Sequence, residues 1–193
     1  MTQLPLCCAC GQVQGVLVDA TPDNGNHVIC YCDDCQAFAR SLGTPGILDS
    51  YGGTEVYQST PSQVRITQGI EQLRLRRLSE KGLLRWYTAC CRTPVANMLP
   101  YPRSPFVGLF HGFIPDRESL GPVVGRIQGR FAPGGCPPGV HPRASLGLIG
   151  RSLVFLGRAY WNGQYAPSPF FEDGRPIREA EVLTVAEREA LRG

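Results

Sequence analysis

Nine cysteines in a chain of 193 residues constrain this protein more than any other feature of its sequence. Such a number indicates either a disulfide framework or metal binding. Disulfide frameworks are typical of secreted proteins, whose precursors begin with basic residues followed by an apolar run. The first ten residues, MTQLPLCCAC, show neither feature, and an odd number of cysteines cannot pair completely. We therefore expect the cysteines to bind metal in a reducing compartment, and we predict a cytoplasmic location.

The composition predicts a mainly β protein that is rich in turns. The chain has 23 glycines and 17 prolines, which favour turns over long helices. Strand-like runs separated by Gly, Pro and Ser occur at residues 12–18, 27–32, 54–57, 63–67, 72–78 and 83–87. Their spacing favours a meandering antiparallel sheet. Hydrophobic residues make up 42% of the chain, which is enough for the core of a single domain spanning residues 1–193.

Three segments carry helical signals. Asp33 and Asp34 are suited to cap a short helix that ends at Gly43. A second helix is indicated by apolar residues at helical spacing, namely Leu146, Ile149, Leu153, Leu156 and Tyr160. Glycines within this segment weaken an isolated helix, so we expect the helix to pack closely against the sheet. Thr184 and Glu187 fit a capping box that opens a short terminal helix.

Two groups of cysteines far apart in the sequence are candidates for one shared metal. In an extended segment, residues two apart point the same way, so Cys8 and Cys10 present two thiolates on one side while Cys7 points away. Two thiolates do not complete a tetrahedral site, and Cys90 and Cys91 are the remaining close pair. A shared metal would connect segments about 80 residues apart and stabilise the fold. The alternative is that the later pair consists of small buried hydrophobic residues.

The densest group consists of Cys30, Cys32 and Cys35. Three sulfurs within six residues can bind one zinc ion, and the sequence nearby offers no clear fourth ligand. Three protein ligands with one open position are typical of a catalytic zinc. The alternative is a structural site that a distant Cys or His completes.

These motifs, taken in order, resemble those of the family that includes glutathione-dependent formaldehyde-activating enzyme and centromere protein V. That family has C-x-C-G, then C-x-C-x-x-C, then F-C-x-x-C-G-T/S-P. Residues 8–11 match the first element, residues 30–36 match the second, and residues 87–94 match the third in part. Thr88 stands at the place of a cysteine and Arg92 at the place of the glycine. The resemblance covers residues 6–115, and residues 116–193 form a divergent extension.

The resemblance implies a β-tent fold, in which small antiparallel sheets surround zinc, and here the fold would carry a helical C-terminal extension. It implies a structural zinc held by Cys8, Cys10 and Cys91. Since a neutral Thr hydroxyl is a poor zinc ligand, Cys90 is the candidate replacement for the missing cysteine, and both Cys90 and Cys91 can bind only if the backbone turns there.

The resemblance also implies a catalytic zinc, held by Cys30, Cys32 and Cys35, that takes glutathione or its aldehyde adduct. It thus implies a carbon–sulfur lyase or a related enzyme acting on thiol adducts. Two other functions stay open. One is a non-catalytic binding module that zinc stabilises, and the other is a thiol redox enzyme, for which Cys7 and Cys136 are spare.

Charge and hydropathy argue against large charged or lipid partners. The net charge of +3 is too small to indicate a nucleic-acid partner, and no apolar run reaches the length of a membrane span. We therefore predict a partner that is neither nucleic acid nor membrane, and the resemblance implies that this partner is a small thiol. Arg40 and Arg85 are candidates for the positive charge that would offset a zinc–thiolate centre. The loop at residues 132–142, with Cys136 and His141, is expected to cover the middle cysteines.

Overall fold

The computed structural model describes residues 2–192, and strands dominate them. The strands are β1 Gln3–Cys7, β2 Gln14–Val18, β3 Asn26–Cys30, β4 Thr54–Ser59, β5 Val64–Gln68, β6 Leu73–Arg77, β7 Leu84–Thr88, β8 Pro94–Met98, β9 Val107–Phe110, β10 Gly125–Ile127, β11 Phe171–Glu172, β12 Arg175–Pro176 and β13 Ala180–Val182. The α-helices are α1 Asp33–Ser41, α2 Leu146–Trp161 and α3 Val185–Ala190. The prediction of a mainly β fold with a helical C-terminal extension is confirmed.

The largest sheet has eight strands in the order β10-β3-β4-β9-β8-β7-β6-β13. Its six inner strands pair antiparallel, as the turn-rich sequence predicts. Both edge strands, β10 and β13, pair in parallel and come from the C-terminal extension. The extension therefore covers both edges of the sheet, which would otherwise present unpaired backbone groups.

A smaller sheet, β1-β2-β5, packs on one face of the large sheet. Inward-pointing residues of β1 and β2, such as Leu4, Leu6 and Leu17, are buried in the same cluster as Trp86 of β7. The Trp86 ring lies 5.2 Å from the ring of Phe170, so the extension also contributes to this core. A short hairpin, β11-β12, follows Phe170.

Helix α1 packs on the opposite face of the large sheet. The Phe38 ring lies 5.6 Å from the ring of Phe110 on β9. Side chains alternate along a strand. Leu84 and Trp86 of β7 therefore face the core between the two sheets, while Arg85 faces α1. Arg85 and Asn97 of β8 are directly paired across the two strands. A charged residue is thus placed inside the protein beneath α1.

Both predicted helices of the extension are present, but α2 packs differently from the expectation. The capping box at the start of α3 is confirmed, since Thr184 N–H donates to the Glu187 carboxylate at 2.8 Å and Glu187 N–H donates to the Thr184 hydroxyl at 3.2 Å. Helix α2 buries only Leu148 and Ala159, so the expectation that it packs closely along its predicted apolar face is wrong. No α-helix in residues 2–192 is long and apolar enough to cross a membrane.

Candidate metal centres

The first group of cysteines, called the N-terminal cluster here, consists of Cys8, Cys10, Cys90 and Cys91. All four sulfurs lie within 4.8 Å of one another. The Cys8 sulfur lies 3.6 Å from that of Cys10 and 3.8 Å from that of Cys90, and the sulfurs of Cys90 and Cys91 are 3.8 Å apart. Four sulfurs bound tetrahedrally to zinc at ~2.3 Å stand about 3.8 Å apart. The spacing of this cluster therefore fits a metal ion with four thiolate ligands.

A tight turn after β7 brings both adjacent cysteines into the N-terminal cluster. Arg92 adopts a left-handed backbone conformation with φ of 57°, and Arg92 N–H donates to the Thr88 carbonyl at 2.8 Å. The turn meets the condition under which Cys90 and Cys91 can face one metal. Glycine adopts this left-handed conformation more readily than arginine does.

Thr88 supports the turn through its hydroxyl group. Its hydroxyl lies 3.3 Å from the Cys91 sulfur and accepts a hydrogen bond from Thr93 N–H at 3.1 Å. The Thr93 hydroxyl lies 3.1 Å from the same sulfur. Burial opposes ionisation, yet the Thr88 and Thr93 hydroxyls lower the pKa of Cys91 to about 5. Burial and neighbouring thiols raise the pKa of Cys90 to about 12.

The second group, called the middle cluster here, consists of Cys30, Cys32 and Cys35, whose sulfurs also lie within 4.8 Å of one another. Cys30 ends β3, Cys32 caps α1, and Cys35 lies in the first turn of α1. The Cys32 sulfur accepts a hydrogen bond from Cys35 N–H at 3.4 Å. Among residues 2–192, no fourth Cys, His, Asp or Glu joins this group. The middle cluster therefore offers three ligands and leaves one position open.

Arg85 lies directly behind the middle cluster and is 1% exposed. Its guanidinium Nη1 lies 3.9 Å from the Cys35 sulfur and donates to the Asn97 side-chain oxygen at 3.0 Å. Nη2 lies 3.6 Å from the Asp34 carboxylate. The Asn97 amide nitrogen also lies 3.9 Å from the Cys35 sulfur. Two buried polar side chains on β7 and β8 therefore point their donors at one thiolate.

The pKa values of the middle cluster are spread apart by its own contacts. Hydrogen bonds from Cys30 and Cys32 lower the pKa of Cys35 well below its usual range, and the Arg85 charge adds to this effect. The same contacts raise the pKa of Cys30 well above its usual range, because that thiol acts as the donor. The buried Arg85 guanidinium beside Cys35 therefore favours the thiolate form of this residue.

Of the two predicted cations, Arg85 alone points its guanidinium at the middle cluster. The Arg40 guanidinium instead donates to Leu191 O at 2.8 Å and to the Gln36 side chain at 3.2 Å, so it connects α1 with the C-terminal end of the chain. The acidic residues at the start of α1 are also paired. Asp34 lies 3.2 Å from Arg188, and Asp33 lies 3.5 Å from Arg192. The extension therefore offsets negative charge beside the cysteines.

The middle cluster opens into a cavity of about 380 Å³. This volume lies within the range of roughly 300–1,000 Å³ that is typical of small-ligand sites. Its apolar wall consists of Val28, Val56, Leu83, Phe106, Ile127 and Phe131. Its polar wall consists of Asp33, Asp34, Gln58, Arg85, Asn97, Gln128 and Arg130, in addition to the three cysteines. A second cleft, of about 670 Å³, lies between α3 and residues 78–81, and none of its lining residues is Cys or His.

The segment that covers the cavity differs from the predicted one. The residues of the extension that line the cavity are Ile127, Gln128, Arg130 and Phe131. Within residues 2–192, neither Cys136 nor His141 lies in the cavity walls. The Cys136 sulfur lies 3.1 Å from Val140 O, and His141 accepts a hydrogen bond from Arg143 N–H. The expectation that the loop at residues 132–142 covers the middle cluster with these two residues is therefore wrong. The shortness of β10 concealed this placement, because three residues carry no clear strand pattern.

His27, His111 and Cys7 lie outside both clusters. Both ring nitrogens of His27 have partners, at 2.9 Å from Gly121 O and at 3.3 Å from the Glu55 carboxylate. His111 lies 3.3 Å from Glu55 O, and burial lowers its pKa. Cys7 points its sulfur toward Cys8 O and away from the cluster, as the strand alternation predicts.

The fold and its two sites define a mainly β protein with two cysteine clusters that can hold metal ions. The chain belongs to the family described as "Family of unknown function (DUF6151)", which matches residues 1–181. A crystal structure of a Rhodobacter sphaeroides protein is similar over 62% of this chain and 97% of that one, with 18% identity and a TM-score of 0.40. No curated protein matches the chain.

Proposed function

We propose that this protein is a zinc-dependent enzyme that acts on a small thiol such as glutathione, or on its aldehyde adduct, at the middle cluster. One observation carries the proposal: three converging cysteine sulfurs leave a coordination position that faces a ligand-sized cavity. The motif resemblance to glutathione-dependent formaldehyde-activating enzyme supports the same reaction class, that of carbon–sulfur lyases.

The residues of the middle cluster fit zinc in number and kind. Cys30, Cys32 and Cys35 would hold the ion, since thiolates are preferred zinc ligands and catalytic zinc sites commonly have three protein ligands and one open position. When bound, zinc supplies a Lewis acid that lowers the pKa of a thiol entering the open position. Three thiolates and a divalent ion leave a net charge of −1, and the buried Arg85 guanidinium offsets it.

The cavity walls suit a charged thiol with polar ends. Arg130 is exposed at the rim, with its guanidinium 4.6 Å from the centre of the Phe131 ring, and can pair with a carboxylate of the substrate. The Gln128 side-chain oxygen is buried without a partner, so it can accept a hydrogen bond from a substrate amide or ammonium group. The apolar side of the cavity, which includes Phe106 and Ile127, can pack against the apolar part of a substrate.

The N-terminal cluster is suited to a structural role in the same protein. Its four sulfurs complete a tetrahedral site, so no position is left for a substrate. The site would connect the end of β1 with the turn after β7, two segments that belong to different sheets. We therefore assign zinc at this cluster to stability and zinc at the middle cluster to chemistry.

The proposal is tested with protein loaded with cobalt in place of zinc. Glutathione is titrated in while the visible absorption of the metal is followed, and glutathione-dependent consumption of formaldehyde is measured in parallel. The wild type should bind two metal ions and change its spectrum with thiol. Cys32→Ser should bind one ion fewer and lose both the spectral response and the activity.

Cys136→Ser is the matched control, because this exposed cysteine touches neither cluster. It should leave metal content, spectrum and activity unchanged. A spectrum that excess thiol does not alter, in wild-type protein with two bound ions, would reject the enzyme and favour a non-catalytic zinc module.

A further inference from the structure

Helix α2 exposes an apolar face to solvent. Leu146, Gly150, Leu153, Gly157 and Trp161 follow one another at steps of three or four residues, so they lie on one side of the helix. Leu146 is 87% exposed, Leu153 is 67% exposed and Trp161 is 89% exposed. Further exposed apolar residues border this side, namely Ile149, Val154 and Tyr160. The opposite side, with Leu148 and Ala159, packs on the protein.

The arrangement of α2 holds this outward face in place. Arg151 donates through Nε to the Asn26 side chain at 2.6 Å and through Nη2 to Pro22 O. Ser152 lies 3.5 Å from the Gln58 side chain, and Leu148 packs over Gly125 of β10. Polar contacts and one buried leucine thus fasten the inner side of the helix to the body. No part of residues 2–192 covers the apolar side of α2.

Charge in this part of the chain has one sign. Residues 119–171 contain no Asp or Glu. The same segment contains five arginines, which are Arg126, Arg130, Arg143, Arg151 and Arg158. Helical spacing places Arg151 and Arg158 along one border of the apolar face, and Arg143 lies just before the helix. Asp23 is the acidic residue beside α2, and it lines grooves with Arg151 and Arg158.

We propose that α2 docks flat on an anionic lipid bilayer, with its apolar face in the interface and with Arg143 and Arg158 at the phosphate level. An amphipathic helix with aliphatic and aromatic residues on one face and arginines beside them is the pattern of an interfacial helix. Tyr160 and Trp161 lie at its C-terminal end, and such residues prefer the headgroup region. This mode needs no membrane-spanning helix. The expectation of no membrane partner was based on the lack of an apolar run long enough to span a bilayer. It did not consider a helix that lies in the interface.

Charge complementarity favours a bilayer over a second copy of the chain. Two copies joined through α2 would bring two acid-free, arginine-containing segments together. An anionic bilayer instead supplies a negative surface for the arginines and an apolar layer for the leucines and Trp161.

The proposal is tested by sedimentation with vesicles made of equal parts of phosphatidylcholine and phosphatidylserine, and with vesicles of phosphatidylcholine alone. Wild-type protein should bind the anionic vesicles and be released by salt. Trp161 emission should shift to the blue on binding, whereas Trp86 is already buried and serves as an internal constant. Leu153→Glu should weaken binding about tenfold or more, because the charge enters the apolar interface. Arg158→Gln should weaken binding and reduce its salt dependence.

Tyr101→Glu is the matched control, since Tyr101 is also an exposed apolar residue but lies outside α2. It should bind like the wild type, and unchanged circular dichroism should show that each variant is folded. Equal binding by the wild type and Leu153→Glu would overturn the proposal. A lipid-free dimer that Leu153→Glu dissociates, with no vesicle binding by the wild type, would overturn it in favour of a second copy.

Discussion

The guanidinium of Arg85 lies 3.9 Å from the sulfur of Cys35, inside the protein between the large sheet and α1. The strand pairing of Arg85 with Asn97 explains this placement, because both residues point to the same face of the sheet. Unpaired buried charges are costly, so a buried arginine needs a negative partner. The thiolates of the middle cluster and Asp34 supply it.

Replacing Arg85 should therefore damage the middle cluster more than the rest of the protein. Arg85→Gln leaves the Cys35 thiolate and Asp34 without their buried counter-ion, so we expect a loss of about 3 kcal/mol in the free energy of unfolding. Metal affinity at the middle cluster should fall, measured by competition with a chelator. Arg85→Lys keeps the charge but loses the planar fork, so its effect should be intermediate.

Arg40→Gln is the control for this prediction. Arg40 lies on α1 one turn beyond Cys35 but points its guanidinium toward Leu191. It should leave chelator competition unchanged. Equal metal loss in Arg40→Gln and Arg85→Gln would show that general destabilisation, and not the charge at Cys35, accounts for the effect.

Metal bound at the N-terminal cluster should stabilise the fold. Cys8→Ser and Cys91→Ser each remove one of four ligands, so each should lower metal content by about one equivalent and lower the melting temperature. Addition of a strong chelator should shift the wild type toward the same melting temperature. The measurement is thermal unfolding followed by circular dichroism, with metal content determined on the same samples.

Cys7→Ser separates metal binding from the general effect of losing a cysteine. Cys7 is adjacent to Cys8 in sequence, but its side chain points away from the cluster. The melting temperature and metal content of Cys7→Ser should equal those of the wild type. If Cys8→Ser behaved like Cys7→Ser in both measurements, the N-terminal cluster would have no structural metal.

The parts of these sites that follow from local geometry could be predicted from the sequence. Cys8 and Cys10 meet in one cluster as predicted, but the turn that follows β1 brings them together, and not alternation along an extended segment. The start of a helix brings Cys32 and Cys35 together, although Cys32 itself caps α1 where Asp33 or Asp34 was expected. The short antiparallel strands also follow from turn residues that separate apolar runs.

The parts that depend on distant contacts could not be predicted in this way. Strands β10 and β13 have three residues each and pair in parallel with strands far away in sequence, so no local pattern identifies them. The choice between Arg40 and Arg85 depends on the register of β7 with β8. For α2, periodicity identified the helix but not the side that faces the protein, because apolar residues occur on both sides.

The left-handed turn at Arg92 predicts a stabilising substitution. Arg92 is exposed, so its replacement removes little packing, and a non-glycine residue in this conformation costs ~1–2 kcal/mol. Arg92→Gly relieves that strain, but glycine gains entropy in the unfolded chain, so we expect a net gain of about 0.5 kcal/mol. Arg92→Val should lose about 1 kcal/mol, because β-branched residues fit this conformation worst. Chemical denaturation of metal-loaded protein measures both, and the reverse order would refute the role of backbone strain.

The glycines on the exposed side of α2 predict a second gain in stability, in contrast to the close packing expected from the sequence. A Cβ atom added at Gly157 would have no neighbour within 4 Å, so alanine fits without a clash. Alanine in a helix interior is favoured over glycine by about 1 kcal/mol, and Gly157→Ala should raise the free energy of unfolding by a similar amount. Gly15→Ala is the opposite control, because its Cβ would meet the backbone oxygen of Arg65 on the neighbouring strand, and it should destabilise. Denaturant unfolding without lipid measures both variants. A loss of stability in Gly157→Ala at low protein concentration would show that part of the same chain covers this side of α2, whereas a loss only at high concentration would show that a second copy does.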